Sequence, residues 1–234
     1  MLIKVDVKGL EWVSAIFLSQ DKRGMEEIHA GHDQHAENQK ALGLPTRLIA
    51  KTFLFRIIYG GTAFHSDPDF AEVKPGSQRA WEDRIWRFYN RYPGLAKWHK
   101  HIWEAAQEGA VYTSPTGREY RYERYKDGPS RPQVLNYPVQ GLGADIVKVI
   151  RIECFRRFRG SESYKLVNTV HDDIVFDCTD EQCYNICSEI NNIFSVADKL
   201  VSKAYDIEFN LPIRGEISYG RNLKEMTEWH ASTK

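Results

Sequence analysis

Strand-like segments stand at both ends of this 234-residue chain, and helical patterns fill the middle. Residues 2–7 (LIKVDV) are rich in β-branched side chains and predict a short buried strand. Residues 164–170 and 174–178 predict the arms of a hairpin, and residues 211–218 predict a last strand. Helices are predicted over residues 10–20, 45–60, 141–158 and 179–205, a long helical stretch interrupted at Pro93-Gly94 over residues 78–109, and a loop over residues 66–76. Strands at both ends with helices inserted between them predict an α+β fold.

The predicted helix over residues 45–60 carries an unusual face. Arg47, Lys51, Phe55 and Tyr59 recur at every fourth position. Each step of four advances about 40° beyond a full turn, so the four side chains project from one gently winding face. Two cations in a buried stripe would lack partners, whereas cations can hold phosphates and an aromatic ring can contact a sugar or base. The face therefore predicts a nucleoside triphosphate site, with a solvated helix face as the alternative.

A second pattern places aspartates at the ends of predicted strands. Asp6 lies near the end of the first strand, and Asp172 and Asp173 lie at the tip of the predicted hairpin. Carboxylates presented from adjacent strands are the usual protein part of a two-Mg²⁺ site, because magnesium prefers oxygen ligands. Ordinary turn chemistry is the alternative for any one of them. Two adjacent acids inside an apolar hairpin (VNTVHDDIVFD) cost stability unless a cation offsets them, and this favours the metal site.

Charge is balanced overall but unevenly distributed. The chain carries 32 basic and 32 acidic residues, and freely acting nucleic-acid binders are usually more basic. Residues 79–131 hold eleven Lys or Arg against seven Asp or Glu, whereas residues 132–234 hold twelve against fifteen. A basic stretch beside an acidic one suits a protein that holds phosphates in one place and metal ions in another.

The chain shows neither a signal peptide nor an apolar run near the roughly 18 residues of a membrane helix, which predicts a cytoplasmic protein without a membrane partner. The four cysteines form no paired CxxC motifs and predict reduced thiols packed in a core. Cys183 and Cys187 are one helical turn apart, which leaves a zinc role open.

Three motifs in fixed order resemble those of family A DNA polymerases, the family of bacterial DNA polymerase I. The first is an apolar strand ending in Asp with Glu five residues later, here VDVKGLE with Asp6 and Glu11. The second is Arg-x3-Lys-x3-Phe/Tyr-x3-Tyr-Gly, and this chain matches every spacing from Arg47 to Gly60. The third is His-Asp-Glu at a hairpin tip, here beginning at His171 and ending in Asp173.

Further segments extend the resemblance over almost the whole chain. NYPVQGLGAD is similar to the family's minor-groove segment and places its Asn and Gln at Asn136 and Gln140. DQHAENQ is similar to the stretch with a triphosphate-binding His, here His35. The segment LPTRLIAKTF most resembles the sequences of phage replicative members. Two residues depart from the family pattern, because Asp173 replaces the usual Glu and Val13 stands where many members have Arg.

The resemblance implies a polymerase palm, an antiparallel sheet with helices, and an inserted helical fingers subdomain. The palm would comprise residues 1–25 and 131–234, and the fingers residues 26–130. Because the first motif lies at the start of the sequence, we expect the thumb and the usual 3′–5′ exonuclease domain, which precede it in the family, to be absent. Without neighbouring palm strands, the predicted strand over residues 2–7 would leave an exposed apolar edge, which favours pairing with another chain. We therefore expect one half of a split, phage-type polymerase in a bacterial or phage-infected cell, with a second protein chain supplying thumb and exonuclease domains.

The resemblance also implies a role for each matched residue in transfer of a dNTP to the primer 3′-hydroxyl on primer-template DNA. Catalysis would depend on Asp6, Asp172 and Lys51. Asp6 and Asp172 would hold two Mg²⁺ ions, for which Mn²⁺ can substitute, with Asp173 as a third candidate ligand. The dNTP would be held by His35, Arg47, Lys51, Phe55, Tyr59 and Glu11, where Glu11 blocks a ribose 2′-hydroxyl. DNA would contact Asn136, Gln140, His171 and Gly60.

Two other functions stay open from the sequence. A non-catalytic nucleic-acid-binding or assembly protein derived from a polymerase would be expected to have degenerate motifs, yet Asp6, Asp172, Arg47 and Lys51 are all present. A metal-dependent nuclease could use the same acids, but it would have no use for the Phe55 and Tyr59 face.

Overall fold

The computed structural model describes residues 1–61 and 78–231, and the loop predicted over residues 66–76 lies outside them. The chain divides into two compact units. The first combines Met1–Leu10 with Leu142–Lys234, and the second is Glu11–Gly141. Strands and helices both occur, as the predicted α+β class requires.

The first unit is built on a five-stranded antiparallel sheet in the order β6-β7-β1-β8-β9. Its strands are β1 (Leu2–Val7), β6 (Tyr164–Val170), β7 (Asp173–Cys178), β8 (Gly215–Asn222) and β9 (Glu225–Glu228). Helices α8 (Cys183–Phe194) and α9 (Ala197–Tyr205) belong to the same unit, and α8 packs against β8. The predicted single helix over residues 179–205 is therefore two helices, and the predicted last strand is a β8–β9 hairpin.

Strand β1 lies at the centre of this sheet. Ile3, Val5 and Val7 are almost fully buried, and the residues between them are half-exposed, as period-two alternation requires. β1 pairs with β7 on one side and with β8 on the other. The expectation that β1 leaves an exposed apolar edge is therefore wrong, because residues distant in sequence cover both of its edges.

The second unit is mainly helical. Its helices are α1 (Leu10–Ser19), α2 (Lys22–Ala30), α3 (Gln34–Leu42), α4 (Arg47–Ile58), α5 (Gln78–Arg91) and α6 (Pro93–Glu108). Two-residue strands form two short hairpins: β2 (Tyr112–Thr113), β3 (Glu119–Tyr120), β4 (Arg124–Tyr125) and β5 (Gly128–Pro129). The break predicted at Pro93-Gly94 is confirmed as the boundary between α5 and α6.

Helix α4 begins at Arg47, two residues after the predicted start at Pro45. Thr46 is the N-cap, and its hydroxyl accepts a hydrogen bond from the Ile49 N–H at 3.2 Å. The side of the helix opposite the predicted functional face is buried through Ala50, Phe53, Leu54, Ile57 and Ile58. Packing of this apolar side fixes the helix and leaves the other side for function.

Helix α7 (Arg131–Phe158) begins ten residues before the predicted start at residue 141. Pro138 lies inside the helix, although proline removes a helical hydrogen bond and crowds the preceding turn. Val134, Leu135 and Val139 are fully buried around Pro138, and burial of this size offsets the lost bond. Asn136 and Gln140 are therefore helical residues one turn apart.

No described helix is long and apolar enough to cross a membrane. All four cysteines are buried free thiols. Burial is the main reason that the pKa of Cys154 is raised to about 12, so this thiol stays protonated at neutral pH.

Candidate functional site

The predicted acidic residues lie together on the first unit. Asp6 on β1 is the register partner of Asp173 on β7. Asp172 lies in the turn before β7, where His171 adopts a left-handed φ of 55°. One carboxylate oxygen from each of the three aspartates lies within 4.8 Å of the others. Within residues 1–61 and 78–231, this acidic cluster is the one group of three His, Cys, Asp or Glu side chains close enough to share an ion.

The acidic cluster is electrostatically strained. Burial, followed by the negative charges of Asp172 and Asp173, raises the pKa of Asp6 to about 6. All three aspartates are half-exposed, so solvent can reach the cluster. Oxygen donors that repel one another at this distance suit a divalent cation, which replaces repulsion with attraction.

Cations flank the acidic cluster along β1. Lys4 Nζ lies 3.0 Å from Asp173 Oδ2. On the other side, Lys8 Nζ lies 2.6 Å from an oxygen of Glu216, the β8 residue opposite Asp6. Lys4, Lys8 and Glu216 were not predicted as site residues. The KVDVK spacing was the available signal, because it places Lys4 and Asp6 on one face of a strand.

The four residues predicted at every fourth position lie on the accessible side of α4. Arg47 and Lys51 are exposed, and Phe55 and Tyr59 are half-exposed. Lys51 Nζ lies 5.8 Å from the centre of the Phe55 ring, and Phe55 stacks on Tyr59 with 6.0 Å between ring centres. The two cations and two rings thus form one continuous surface, which we call the α4 face.

Helix α3 adds His35 to the α4 face. The His35 ring centre lies 6.0 Å from that of Phe55. Burial, followed by the positive charge of Arg47, lowers the pKa of His35 to about 4. His35 is therefore neutral at pH 7, and its Nδ1 has no hydrogen-bond partner among the described residues. A buried, unpartnered ring nitrogen beside two cations could donate to an anionic ligand.

Asp33 is an additional residue at the α4 face that sequence reasoning missed. It is the N-cap of α3, accepting from the backbone N–H groups of His35 and Ala36, and its other oxygen accepts from Arg47 Nε at 2.7 Å. Burial acts to raise the pKa of Asp33, but the Arg47 and backbone hydrogen bonds outweigh it and lower the pKa. The Arg47 guanidinium is thus already paired with the carboxylate of Asp33.

The end of α4 adjoins helix α7. Gln140 Nε2 donates a hydrogen bond to the Tyr59 hydroxyl. Gly60 has a φ of 79°, and a Cβ there would lie 2.9 Å from a Leu135 methyl. Asn136 Oδ1 is buried and has no hydrogen-bond partner in the described ranges. The structure therefore brings the predicted residues Tyr59, Gly60 and Gln140 together.

The predicted residues divide between the two units. Asp6, His171, Asp172 and Asp173 belong to the first unit. The second unit holds the others: Glu11, His35, Arg47, Lys51, Phe55, Tyr59, Gly60, Asn136 and Gln140. Glu11 is half-buried in the first turn of α1.

Comparison with known proteins identifies the class to which this fold and these residues belong. The sequence model of DNA polymerase family A matches residues 1–225. The chain therefore belongs to DNA polymerase family A.

Several relatives carry polymerase names. The chain is 24% identical over 218 residues to DNA polymerase I of Aquifex aeolicus, covering 87% of this chain and 37% of the relative. It is 28% identical over 241 residues to DNA polymerase I of Treponema pallidum, covering 94% of this chain and 22% of the relative. The DNA polymerase of Bacillus phage SP01 is 25% identical over 191 residues, with 78% and 20% covered. This chain thus spans between 20% and 37% of the length of these relatives.

A solved structure shares the fold. The polymerase domain of Pol1 from M. smegmatis, in complex with a DNA primer-template and dNTP, superposes with a TM-score of 0.75. The match covers 94% of this chain and 39% of the other, at 20% sequence identity. The resemblance to a family A polymerase domain that was predicted from sequence is confirmed.

Proposed function

We propose that this chain carries the nucleotidyl-transfer residues of a DNA-directed DNA polymerase, joining a dNTP to a primer 3′-hydroxyl. The observation that carries the proposal is the convergence of Asp6 with the adjacent pair Asp172 and Asp173, which lie far from it in sequence, into one group within 4.8 Å. The match of residues 1–225 to DNA polymerase family A supports nucleotidyl transfer as the chemistry of this group. The α4 face, whose every-fourth-residue spacing resembles the family's second motif, would supply the matching nucleotide contacts.

The acidic cluster fits divalent ions. Its donors are carboxylate oxygens only, mutually repelling and open to solvent, and these are the ligands that Mg²⁺ prefers. Asp6 and Asp172 would hold two Mg²⁺, or Mn²⁺ in their place. When bound, such ions supply activation of the attacking hydroxyl and neutralisation of charge on the leaving pyrophosphate. Asp6 acts as an ionised ligand, so it must lose its proton before binding.

On the α4 face, Arg47 and Lys51 would hold the triphosphate. Lys51 is exposed and can give its proton to the departing pyrophosphate. Arg47 must exchange its partner Asp33 for a phosphate oxygen, and this exchange conserves a charge-assisted hydrogen bond. His35 binds as a neutral donor, because its low pKa keeps it uncharged at pH 7.

The remaining residues would select the sugar and hold the template. Phe55 packs against the deoxyribose, and Glu11 blocks a ribose 2′-hydroxyl. Tyr59 and Gly60 contact the template base at the end of α4, where glycine permits movement. Asn136, Gln140 and His171 contact the duplex. Minor-groove acceptors are common to every correct base pair, so contacts from Asn136 and Gln140 test shape without reading sequence.

The assignment of residues 1–25 and 131–234 to the palm and 26–130 to the fingers stays a prediction. The same holds for a second protein chain that supplies thumb and exonuclease domains, and for the phage-type split. Strand β1 does not offer a free edge to such a partner, because β7 and β8 cover both of its edges. Co-purification of the native protein followed by mass spectrometry tests for the partner directly.

The proposed activity is tested by single-nucleotide incorporation. The purified chain, in excess over a labelled primer-template, is mixed with Mg²⁺ and one dNTP at a time. We expect the primer to grow by one residue only with the dNTP that complements the template. Addition without regard to the template, or no addition with Mg²⁺ or Mn²⁺, would contradict the proposal. Loss of labelled DNA without dNTP would indicate a nuclease.

A further inference from the structure

The acidic cluster lies inside a row of alternating charges. Lys4 and Asp6 are two residues apart on β1, so they project from the same face of the sheet. Asp6 lies opposite Asp173 on β7 and opposite Glu216 on β8. Lys4 sits diagonally from Asp173 in this register, a distance that a long side chain can span. Lys8 continues the same spacing and reaches Glu216.

The two lysines pair with Asp173 and Glu216 and leave the carboxylates of Asp6 and Asp172 without a lysine partner among the described residues. Lys4 pairs with Asp173 at 3.0 Å, and Lys8 pairs with Glu216 at 2.6 Å. In the described part of the chain, no lysine or arginine forms an ion pair with Asp6 or Asp172. The carboxylates left for an external cation are therefore those of Asp6 and Asp172.

We propose that Lys4 is a positioning residue that withholds Asp173 from a bound divalent ion, so that the metal site is built from Asp6 and Asp172 alone. This inference rests on the proposed function, since it assigns the ligand set of the proposed metal site. Asp173 lies within 4.8 Å of the other two acids, so distance alone does not exclude it as a ligand. The ion pair between Lys4 and Asp173 keeps Asp173 from acting as a ligand, because a metal ion that recruits Asp173 must first break that pair.

A two-carboxylate site has a functional consequence. Mg²⁺ fills an octahedron, and ligands that the protein does not supply must come from water or substrate phosphate. Two carboxylates bind an ion weakly in the absence of substrate, so the phosphates of a nucleotide complete the site. Lys4 would thus make metal occupancy depend on the nucleotide.

The test is a titration of the full chain with Mn²⁺ in the absence of nucleotide and DNA. Binding is measured from the electron paramagnetic resonance signal of the Mn²⁺ that stays free. Lys4→Met removes the charge and retains an unbranched side chain, which frees Asp173. We expect binding about tenfold tighter than in the wild type, the low end of effects seen when partners of ligands are altered. Lys4→Gln should give the same direction and guards against a defect specific to Met.

Lys8→Met is the matched control. It removes one positive charge at the same two-residue spacing from Asp6, in the turn directly after β1, but its partner Glu216 lies outside the group that could share an ion. If Lys4 acts only by reducing general attraction for cations, both variants should tighten binding equally. That result, or wild-type affinity in both Lys4 variants, would overturn the inference.

Asp173→Asn completes a double-mutant cycle. In the wild-type background it should change Mn²⁺ affinity less than twofold, because Asp173 is already withheld. In the Lys4→Met background it should remove the whole tenfold gain. A tenfold loss in the wild-type background would show that Asp173 is a ligand and refute the inference.

Asp6→Asn separates the inference from the proposed function. If Asp6→Asn abolishes Mn²⁺ binding while Lys4→Met has no effect, the metal site stands and the role of Lys4 fails. If Asp6→Asn leaves Mn²⁺ binding unchanged, the metal site itself fails.

Discussion

Arg47 of α4 and Asp33 of α3 form an ion pair with 2.7 Å between Nε and Oδ2. The pair holds the guanidinium at the α4 face beside His35 and supplies an anion where the proposed function places a phosphate. Asp33 and an incoming triphosphate therefore compete for the same cation. This competition should weaken the affinity of the α4 face for a nucleotide, and that affinity can be measured.

Asp33→Asn should strengthen nucleotide binding. Asparagine keeps the N-cap bonds to α3, because it is as good an N-cap as aspartate, but it no longer neutralises Arg47. We expect the dissociation constant for dNTP, measured by fluorescence titration, to fall about threefold, within the modest range of exposed ion pairs. Asp33→Asn combined with Arg47→Ala should show no such gain. A gain that persists without Arg47 would contradict the competition.

The raised pKa of Asp6 predicts a pH-dependent cost to stability. The pKa is about 6 in the folded chain and 3.8 for an ordinary aspartate. Between these values the folded state holds the proton more tightly, so stability falls as pH rises toward 6 and stays reduced above it.

Asp6→Asn should therefore raise Tm in EDTA at pH 8 and have little effect at pH 4. After allowance for solvent screening, the gain at pH 8 should be about 1–2 kcal/mol, or roughly 2–6 °C. Asp177→Asn on the exposed face of β7 is the control and should show neither the gain nor its pH dependence. Destabilisation by Asp6→Asn at pH 8 would contradict the electrostatic account.

Gly60 and Gly43 allow a matched test of packing at the end of α4. Both have positive φ, at 79° and 62°, so alanine is strained at either position. A Cβ at Gly43 meets nothing within 4 Å, whereas one at Gly60 meets Leu135 at 2.9 Å and the Arg131 carbonyl at 3.1 Å.

Gly43→Ala should cost about 1 kcal/mol and Gly60→Ala about 2–4 kcal/mol of unfolding free energy. Urea denaturation at neutral pH measures both. Equal losses would show that the contact between the end of α4 and helix α7 is loose.

Sugar selection should depend on Phe55 and Glu11. Phe at the Phe55 position accompanies rejection of dideoxynucleotides in the family that this chain resembles, because Phe offers no hydroxyl in place of the missing 3′-hydroxyl. Phe55→Tyr should raise dideoxynucleotide use at least tenfold, and Glu11→Ala should relax rejection of ribonucleotides. Incorporation ratios from paired primer-extension reactions measure both. If neither variant alters its ratio, these two assignments are wrong.

Much of this arrangement could be predicted from sequence, because local periodicity determines it. The α4 face follows from the helical repeat, and the places of Asp6 and Asp173 at the ends of predicted strands follow from the strand pattern. The long-range features could not be predicted. Nothing near Asp33 in sequence indicates Arg47 as its partner. The central position of β1 depends on strands that are more than 160 residues away.

The error at α7 has a local cause. Pro138 is a strong helix breaker in isolation, and only the burial of side chains around it permits the helix to continue. Sequence periodicity does not report that burial. For the same reason, Gln140 could be assigned to a binding motif while its hydrogen bond to Tyr59 could not be predicted.

The proposed function requires that Asp6 and Asp172 hold the ions for template-directed nucleotidyl transfer. The most direct measurement is the single-turnover rate of correct dNTP addition, with saturating Mg²⁺, by the wild type, Asp172→Asn and Asp177→Asn. Asp177 lies on β7 outside the acidic cluster and controls for loss of a negative charge. The account predicts a loss of at least a thousandfold for Asp172→Asn, with its circular dichroism spectrum and dNTP affinity retained, and a change of less than threefold for Asp177→Asn. A near-normal rate for folded Asp172→Asn would contradict it.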